Sequence, residues 1–488
     1  MIHHPPANFT ISLLKNIETI KEQLNHTTEL VVRTIRIGET KYNLALVYLD
    51  DLVNTDVIRD FLITPLFLFR KMEKSDTGSF IDHLASEHIR VSSAEMVSSF
   101  EDALNGIVRG QTLILVDGFD SGIIAETAQW EKRSVEQSSR QRSPGGPMIG
   151  LSELLKVNLN LIRNIIQSPS LCVETKQIGR YTKTEVSIVY LKDKVDRIAL
   201  EKVRTRIDIL DVEYVLEGRV VDEALEGRKK TIFPLVFITE MPDIVAASLY
   251  EGRIAVLVNG TPTASIVPSL FVQYMAQPNE YYLKAGKLSN RLILFFCYFL
   301  TVCLPGIYVA VANFHSNWFP SKFAKDYFTA SDTILSYFWE VSLFMIILYV
   351  LMLTSFRIQT DIIIVASLVG TMMISSTAVD AELVHPLSLI IVGMTFLASL
   401  LFSTGGMASA ALTLRYPFLL LGNFIGLSGM GVGFILLILY MASLRSVGVP
   451  YLAPLIPFRP QEFKDVFYRG DLKRLINSPH KYPHDDKE

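Results

Sequence analysis

The residue of this sequence best placed to do chemistry is a glutamate inside an apolar run. Glu340, in YFWEVSLF, lies among uncharged side chains within a turn of the start of its block. A carboxylate there must find a partner or water, so it either lines a route for ions or reaches back to a polar boundary. Ser367, Thr371 and Ser375 recur at i, i+4 and i+8, which puts three hydroxyls on one helix face, with Ser376 and Asp380 on the adjacent face near its end. Such a stripe hydrates a pore or, more commonly, lets two helices pack closely. Asp380, Glu382 and His385 fill the turn before the next apolar block, as a mouth attractive to cations or as an ordinary polar turn. The candidate ion path is therefore Glu340, Ser367, Thr371, Ser375, Ser376, Asp380 and Glu382.

Other chemistry lacks its usual handles. No G-x-x-x-x-G-K-[ST], no G-x-G-x-x-G after a strand, no H-E-x-x-H and no G-x-S-x-G occurs. No catalytic residue, metal ligand or cofactor is expected, and an enzyme is the minority reading. The nine histidines are dispersed or terminal, His3 with His4 and His480 with His484 in the tails. Cys172, Cys297 and Cys303 are an odd set without a C-x-x-C pair. With 46 Lys plus Arg against 49 Asp plus Glu, the net charge of -3 offers no polycationic surface, so nucleic acid is not an expected partner.

The elements that must position these residues change character near Arg291. Before it, strand-like runs at 42 to 49, 112 to 118, 185 to 191 and 253 to 260 alternate with charged helical stretches, the pattern of an α/β fold. The N-terminus has no apolar run of signal-peptide length, so this half is expected to be cytoplasmic. After Arg291, LILFFCYFLTVCLPGIYVAVA (292 to 312) is an uncharged run of 21 residues, and about 20 suffice for a helix to cross a bilayer. Further blocks lie at 337 to 356, 362 to 379, 387 to 403 and 418 to 444. These predict a helical polytopic membrane domain in contact with the lipid bilayer. Lys284, Lys287 and Arg291 precede the first block, and Arg459, Lys464, Arg469, Lys473 and Arg474 follow the last, so both ends belong on the cytoplasmic side. Five visible blocks conflict with that evenness. Four crossings are preferred, with one block lying along the membrane or a pair of short spans hidden in one. Pro305 predicts a kink in the first span. Gly422 with Gly426, and Gly429 with Gly433, are spaced for close helix packing.

The first half contains an internal repeat. RIGETKYNLALVYLDD (36 to 51) parallels QIGRYTKTEVSIVYLKD (177 to 193) at an offset of 141, and RGQTLILVDG (109 to 118) parallels EGRIAVLVNG (251 to 260) at 142. At 488 residues the chain has room for several domains. The expected organisation is one α/β subdomain over 1–130, a polar linker over 131–147, a second subdomain over 148–291, the membrane helices over 292–444 and a basic cytoplasmic tail over 445–488.

PGGPMIGLSELLKVNLNLIRNII (144 to 166), IFPLVFITEMPDIVAASLYEGRIAVLVNGTP (232 to 262), PNEYY (278 to 282) and LPGIYVAVANFH (304 to 315) together resemble the A subunits of the GerA family of spore germinant receptors. The resemblance falls on Pro144, Gly146, Pro147, Asn158, Arg163, Pro234, Glu240, Pro242, Asp243, Gly252, Arg253, Gly260, Pro262, Pro305, Tyr308 and His315, read as structural or coupling residues. Met241 stands where the family has arginine, Asn259 where it has aspartate, and 345 to 361 retains little of the family pattern beyond Arg357. The resemblance implies a homo-oligomeric, multi-pass subunit of the endospore inner membrane that conducts monovalent cations when nutrient binds. It also implies two partners, a permease-like B subunit holding most of the nutrient contacts and a lipoprotein C subunit. A secondary transporter or a non-conducting assembly subunit are the alternatives; no membrane repeat of the transporter kind is visible.

Overall fold

A computed structural model of the chain describes residues 7–38, 42–68, 80–129, 149–227, 230–275, 289–318, 335–355, 376–377, 379–381, 383–402, 406–459 and 466. Two compact units emerge, one from residues up to Arg228 with Val236–Pro268, the other from Lys229–Leu235 with the chain from Ser269 onward.

The first unit holds two five-stranded sheets. Strands β1 (Leu30–Arg36), β2 (Asn43–Leu49), β3 (Ala94–Val97), β4 (Thr112–Val116) and β5 (Gly122–Ala125) form the first, in the order β1-β2-β4-β5-β3. Strands β6 (Leu171–Ile178), β7 (Thr184–Leu191), β8 (Phe237–Thr239), β9 (Ile254–Val258) and β10 (Ala264–Val267) repeat it as β6-β7-β9-β10-β8. Every described pairing is antiparallel. The runs read as strands in the sequence are β2, β4, β7 and β9, two of the three inner strands of each sheet. They are buried on both faces because successive side chains alternate between two cores. Ala45, Val47, Leu113 and Leu115 meet helices α1 (Leu13–Gln23) and α2 (Phe100–Val108), while Leu44, Leu46, Ile114 and Val116 meet the segment carrying Ile58, Leu62, Ile81 and Leu84. Each fully buried aliphatic side chain contributes about 1.5–3 kcal/mol.

The duplication includes helices that the sequence comparison did not pair. Helices α3 (Leu155–Ile165) and α4 (Pro242–Tyr250) occupy the places of α1 and α2. The N–H of Phe9 donates to Ser98 (3.0 Å) and that of Leu151 to Glu240 (2.7 Å); Gly118 donates to Ile11 (3.0 Å) and Gly260 to Glu153 (2.8 Å). Gly110 and Gly252 share a left-handed backbone (φ +86° and +83°), and a Cβ at either would lie 2.8 Å from the Leu52 carbonyl or 2.6 Å from the Lys194 carbonyl, respectively. Only glycine satisfies both demands.

The second unit contains helices α5 (Ser289–Phe314), α6 (Tyr337–Ser355), α7 (Pro386–Leu400), α8 (Gly406–Phe424) and α9 (Leu427–Ser443). Among the described residues, two stretches, Arg291–Phe314 and Gly426–Ser443, are long and apolar enough to cross a membrane. Helix α5 runs unbroken through Pro305. The block read as 418 to 444 is a correction: the chain breaks at Gly426, whose φ of +73° no helix accommodates, and divides it between α8 and α9. Gly426 is thus a breaker that also packs beside Phe314, and it is Gly306 that meets Gly422. A Cβ on Gly306 would stand 2.5 Å from the Phe418 carbonyl, so α5 and α8 touch backbone to backbone.

Helix directions follow from these contacts. Tyr308 bonds Ser388 and the Tyr298 ring lies 5.6 Å from Phe402, so α7 runs antiparallel to α5. Glu340 meets His385, joining the N-terminal ends of α6 and α7. Gly426 lies beside Phe314 and the Phe434 ring 6.3 Å from Phe299, so α9 runs back along α5. The start of α5 and the end of α9 therefore lie at the same end of the bundle.

Candidate functional site

In the first unit the residues that gather are on one face of α3. Lys156, Asn160 and Arg163 stand at i, i+4 and i+7 and all reach the first copy, while Leu155, Leu159 and Ile162 turn into the second copy's core. Lys156 Nζ lies 2.7 Å from Asp50 and 3.7 Å from Asp51. Asn160 donates to the Asp51 carbonyl at 2.8 Å. Arg163 donates twice to Glu29 Oε2, at 2.5 and 3.2 Å, with side chains only 1% and 2% exposed. The Thr27 hydroxyl donates to the same carboxylate oxygen at 3.2 Å. Beside them the N–H of Thr28 donates to the Val173 carbonyl at 2.9 Å, so the two sheet edges meet. Burial and the neighbouring Glu29, opposed by Lys156, push the Asp51 carboxyl up to about 7.

In the second unit a buried polar cluster ties three helices together. Glu340 is 0% exposed. One carboxylate oxygen lies 2.7 Å from His385 Nδ1; the other accepts from the His385 N–H at 3.2 Å and from the Ser388 hydroxyl at 2.5 Å. Ser388 Oγ lies 2.9 Å from the Tyr308 hydroxyl, and the Tyr337 ring packs 4.6 Å from His385. Both oxygens of Glu340 are thereby engaged, and the carboxylate accepts at the N-terminus of α7, where the helix dipole favours negative charge. Glu340 turns inward among the helices. Arg415 of α8 is also buried, and its Nε and Nη2 have no hydrogen-bond partner among the described residues.

Of the residues singled out in the sequence, Glu340, His385 and Tyr308 come together, with Ser388 between Glu340 and Tyr308. Ser376 and Asp380 are exposed. Ser367, Thr371, Ser375 and Glu382 lie outside the described residues, as do Pro144, Gly146 and Pro147. Asn158 braces the chain entering α3, accepting from the Ser152 N–H and donating to its carbonyl, both at 2.7 Å. Pro242 opens α4 and Asp243 follows it, its carboxyl pushed up by burial. Glu240 accepts at its carbonyl from Leu151, and Arg253 sits 3.0 Å from Glu251. Pro262 is exposed, whereas Pro234 and Pro305 are buried. The Ser269 hydroxyl lies 3.4 Å from the Pro234 carbonyl, and the His315 ring packs against Trp318. Asn259 holds the N-terminus of α3 through the Leu155 N–H (3.1 Å), as Asp117 holds α1 through Leu13 (3.3 Å). Glu29, Asp51, Ser388, Gly306 and Arg415 escaped sequence reading; Glu29 and Arg163 are 134 positions apart, with no local pattern to link them.

Comparison with known proteins decides the family. The model for the Bacillus/Clostridium GerA spore germination protein matches residues 18–481. The chain belongs to the GerA family. Spore germination protein KA of Bacillus subtilis (strain 168) is 31% identical over 468 residues, 95% of this chain and 85% of that one. The uncharacterized membrane protein YfkQ of the same organism is 28% identical, covering 96% and 91%, and spore germination protein GerLA of Bacillus cereus is 26% identical, covering 96% and 95%. The crystal structure of the N-terminal domain of the A subunit of the Bacillus megaterium spore germinant receptor GerK3 aligns at 28% identity and a TM-score of 0.44, covering 54% of this chain and 98% of that one.

Proposed function

We propose that this chain is the membrane subunit of a nutrient germinant receptor of the A type, and that copies of it oligomerise into a ligand-gated path for monovalent cations. The observation that carries the reading is the family match over 18–481, which takes in both the duplicated α/β unit and the helical bundle. The proposed location is the inner membrane of the endospore, multi-pass, with the α/β unit cytoplasmic. The common end shared by the start of α5 and the finish of α9 supports an even number of crossings, as do the basic residues at both flanks. The proposed domain limits remain 1–130, 131–147, 148–291, 292–444 and 445–488. A permease-like B subunit holding the nutrient and a lipoprotein C subunit are the proposed partners.

In this reading Glu340 is a latch. Its carboxylate ties the start of α6 to the start of α7, and Tyr308 brings α5 into the same network, so a shift of α5 redistributes bonds made to one buried charge. Glu340→Ala, in spores containing wild-type amounts of the subunit, is expected to change nutrient-triggered cation release about tenfold or more, each factor of ten being about 1.4 kcal/mol. Release at the wild-type rate and nutrient dependence would remove the latch. The full engagement of both Glu340 oxygens favours a second reading, a non-conducting assembly subunit. Cation flux in liposomes holding the purified receptor, with and without this chain, separates the two.

A further inference from the structure

A short helical segment of the first copy brings together three metal-ligating side chains from an unpromising spacing. His83 ends an α-helical turn (Phe80–His83), and Leu84–His88 continues it as a π-helical turn, with the Ile89 N–H donating to the Leu84 carbonyl five residues back at 3.2 Å. In an α-helix a residue at i+5 lies about 140° round from i, so His88 would point away from His83. The wider π turn closes on i+5 and sets His83, Glu87 and His88 on one side; such turns are frequent at functional sites. Their ligand atoms all lie within 4.8 Å of one another. His83 Nδ1 and Glu87 Oε1 are 3.3 Å apart. That matches the edge of about 3.4 Å of a tetrahedron with metal bonds of about 2.0–2.1 Å.

We propose that His83, Glu87 and His88 form a binding site for one divalent transition-metal ion of the zinc class, with a fourth position left open. Two imidazoles and one carboxylate are a borderline donor set that suits zinc and its neighbours rather than magnesium or calcium, which prefer oxygen. Glu87 is 61% exposed, which leaves its carboxylate free to swing the remaining distance and leaves an entry path for the ion.

Co2+ titration of the full-length chain, purified in detergent and stripped with chelator, tests the site. The expected result is one equivalent of Co2+ per chain with the intense visible absorption of tetrahedral coordination, bleached by Zn2+. Glu87→Gln, at an exposed position that leaves the fold alone, should weaken binding about tenfold or more; His83→Gln and His88→Gln should abolish the band. A control replacing His3, His4, His480 and His484 with Asn should keep it. Absence of the band, its survival in His88→Gln, or its loss in the terminal-histidine control would each overturn the assignment.

Discussion

The two copies of the α/β subdomain share strand order, turn glycines and bracing asparagines, yet corresponding faces of their first helices lead different lives. On α3, Lys156, Asn160 and Arg163 are committed to the first copy. The same places on α1 are Leu14, Glu18 and Lys21, all exposed. The buried faces of both helices are alike because each must cover its own sheet; the outer faces are free to differ because the sheet does not touch them. A fold was copied, and one face of one copy then became the joint.

Paired substitutions at matching positions test that contrast by thermal unfolding of the full-length protein. The largest difference is expected between Arg163→Met and Lys21→Met. The first strands the Glu29 carboxylate in a dry interface and should cost about 3–5 kcal/mol, and the second should stay within about 0.5 kcal/mol. Equal losses would mean that α1 also holds a hidden contact.

Asp51→Asn against Asp193→Asn comes next. Because the folded carboxyl at 51 titrates near 7 and an unfolded one near 3.9, the folded chain binds more protons between these values, and stability falls as pH rises through that window. Removing the charge should therefore stabilise at pH 8 by up to about 4 kcal/mol, and the gain should shrink toward pH 5. Asp193→Asn, at the exposed matching place, serves as the control for the substitution itself.

Where the copies are alike, the effects should be alike. Gly110→Ala and Gly252→Ala each force a left-handed alanine against a carbonyl and should each cost about 2–3 kcal/mol. Asn16→Ala and Asn158→Ala each leave a backbone N–H and carbonyl unbraced and should cost about 1–2 kcal/mol apiece. A clear inequality within either pair would show that the copies have drifted inside as well as outside.

Much of this architecture is legible in the amino-acid sequence. Strands β2, β4, β7 and β9, the offset of the repeat and the apolar blocks after Arg291 are all local patterns, produced because each element must bury its own apolar side chains or cross one layer by itself. The N-terminal helices were missed as partners in the repeat because their outer faces differ at every place, Leu14, Glu18 and Lys21 standing against Lys156, Asn160 and Arg163, although Leu13, Asn16 and Ile20 recur as Leu155, Asn158 and Ile162. The break at Gly426 was missed because hydropathy does not sense a positive φ.

Amino-acid order alone settled strands β2, β4, β7 and β9 and where the apolar stretches lie, since those depend on periodicity within a dozen residues. Packing settled which distant groups meet. Arg163 finds Glu29 because α3 turns one face outward, and Glu340 finds His385 and Ser388 because α6 and α7 begin at the same end of the bundle. His88 finds His83 because one turn of helix opens from α to π. Each of these depends on the direction in which a finished element points, a quantity that no spacing along the chain contains.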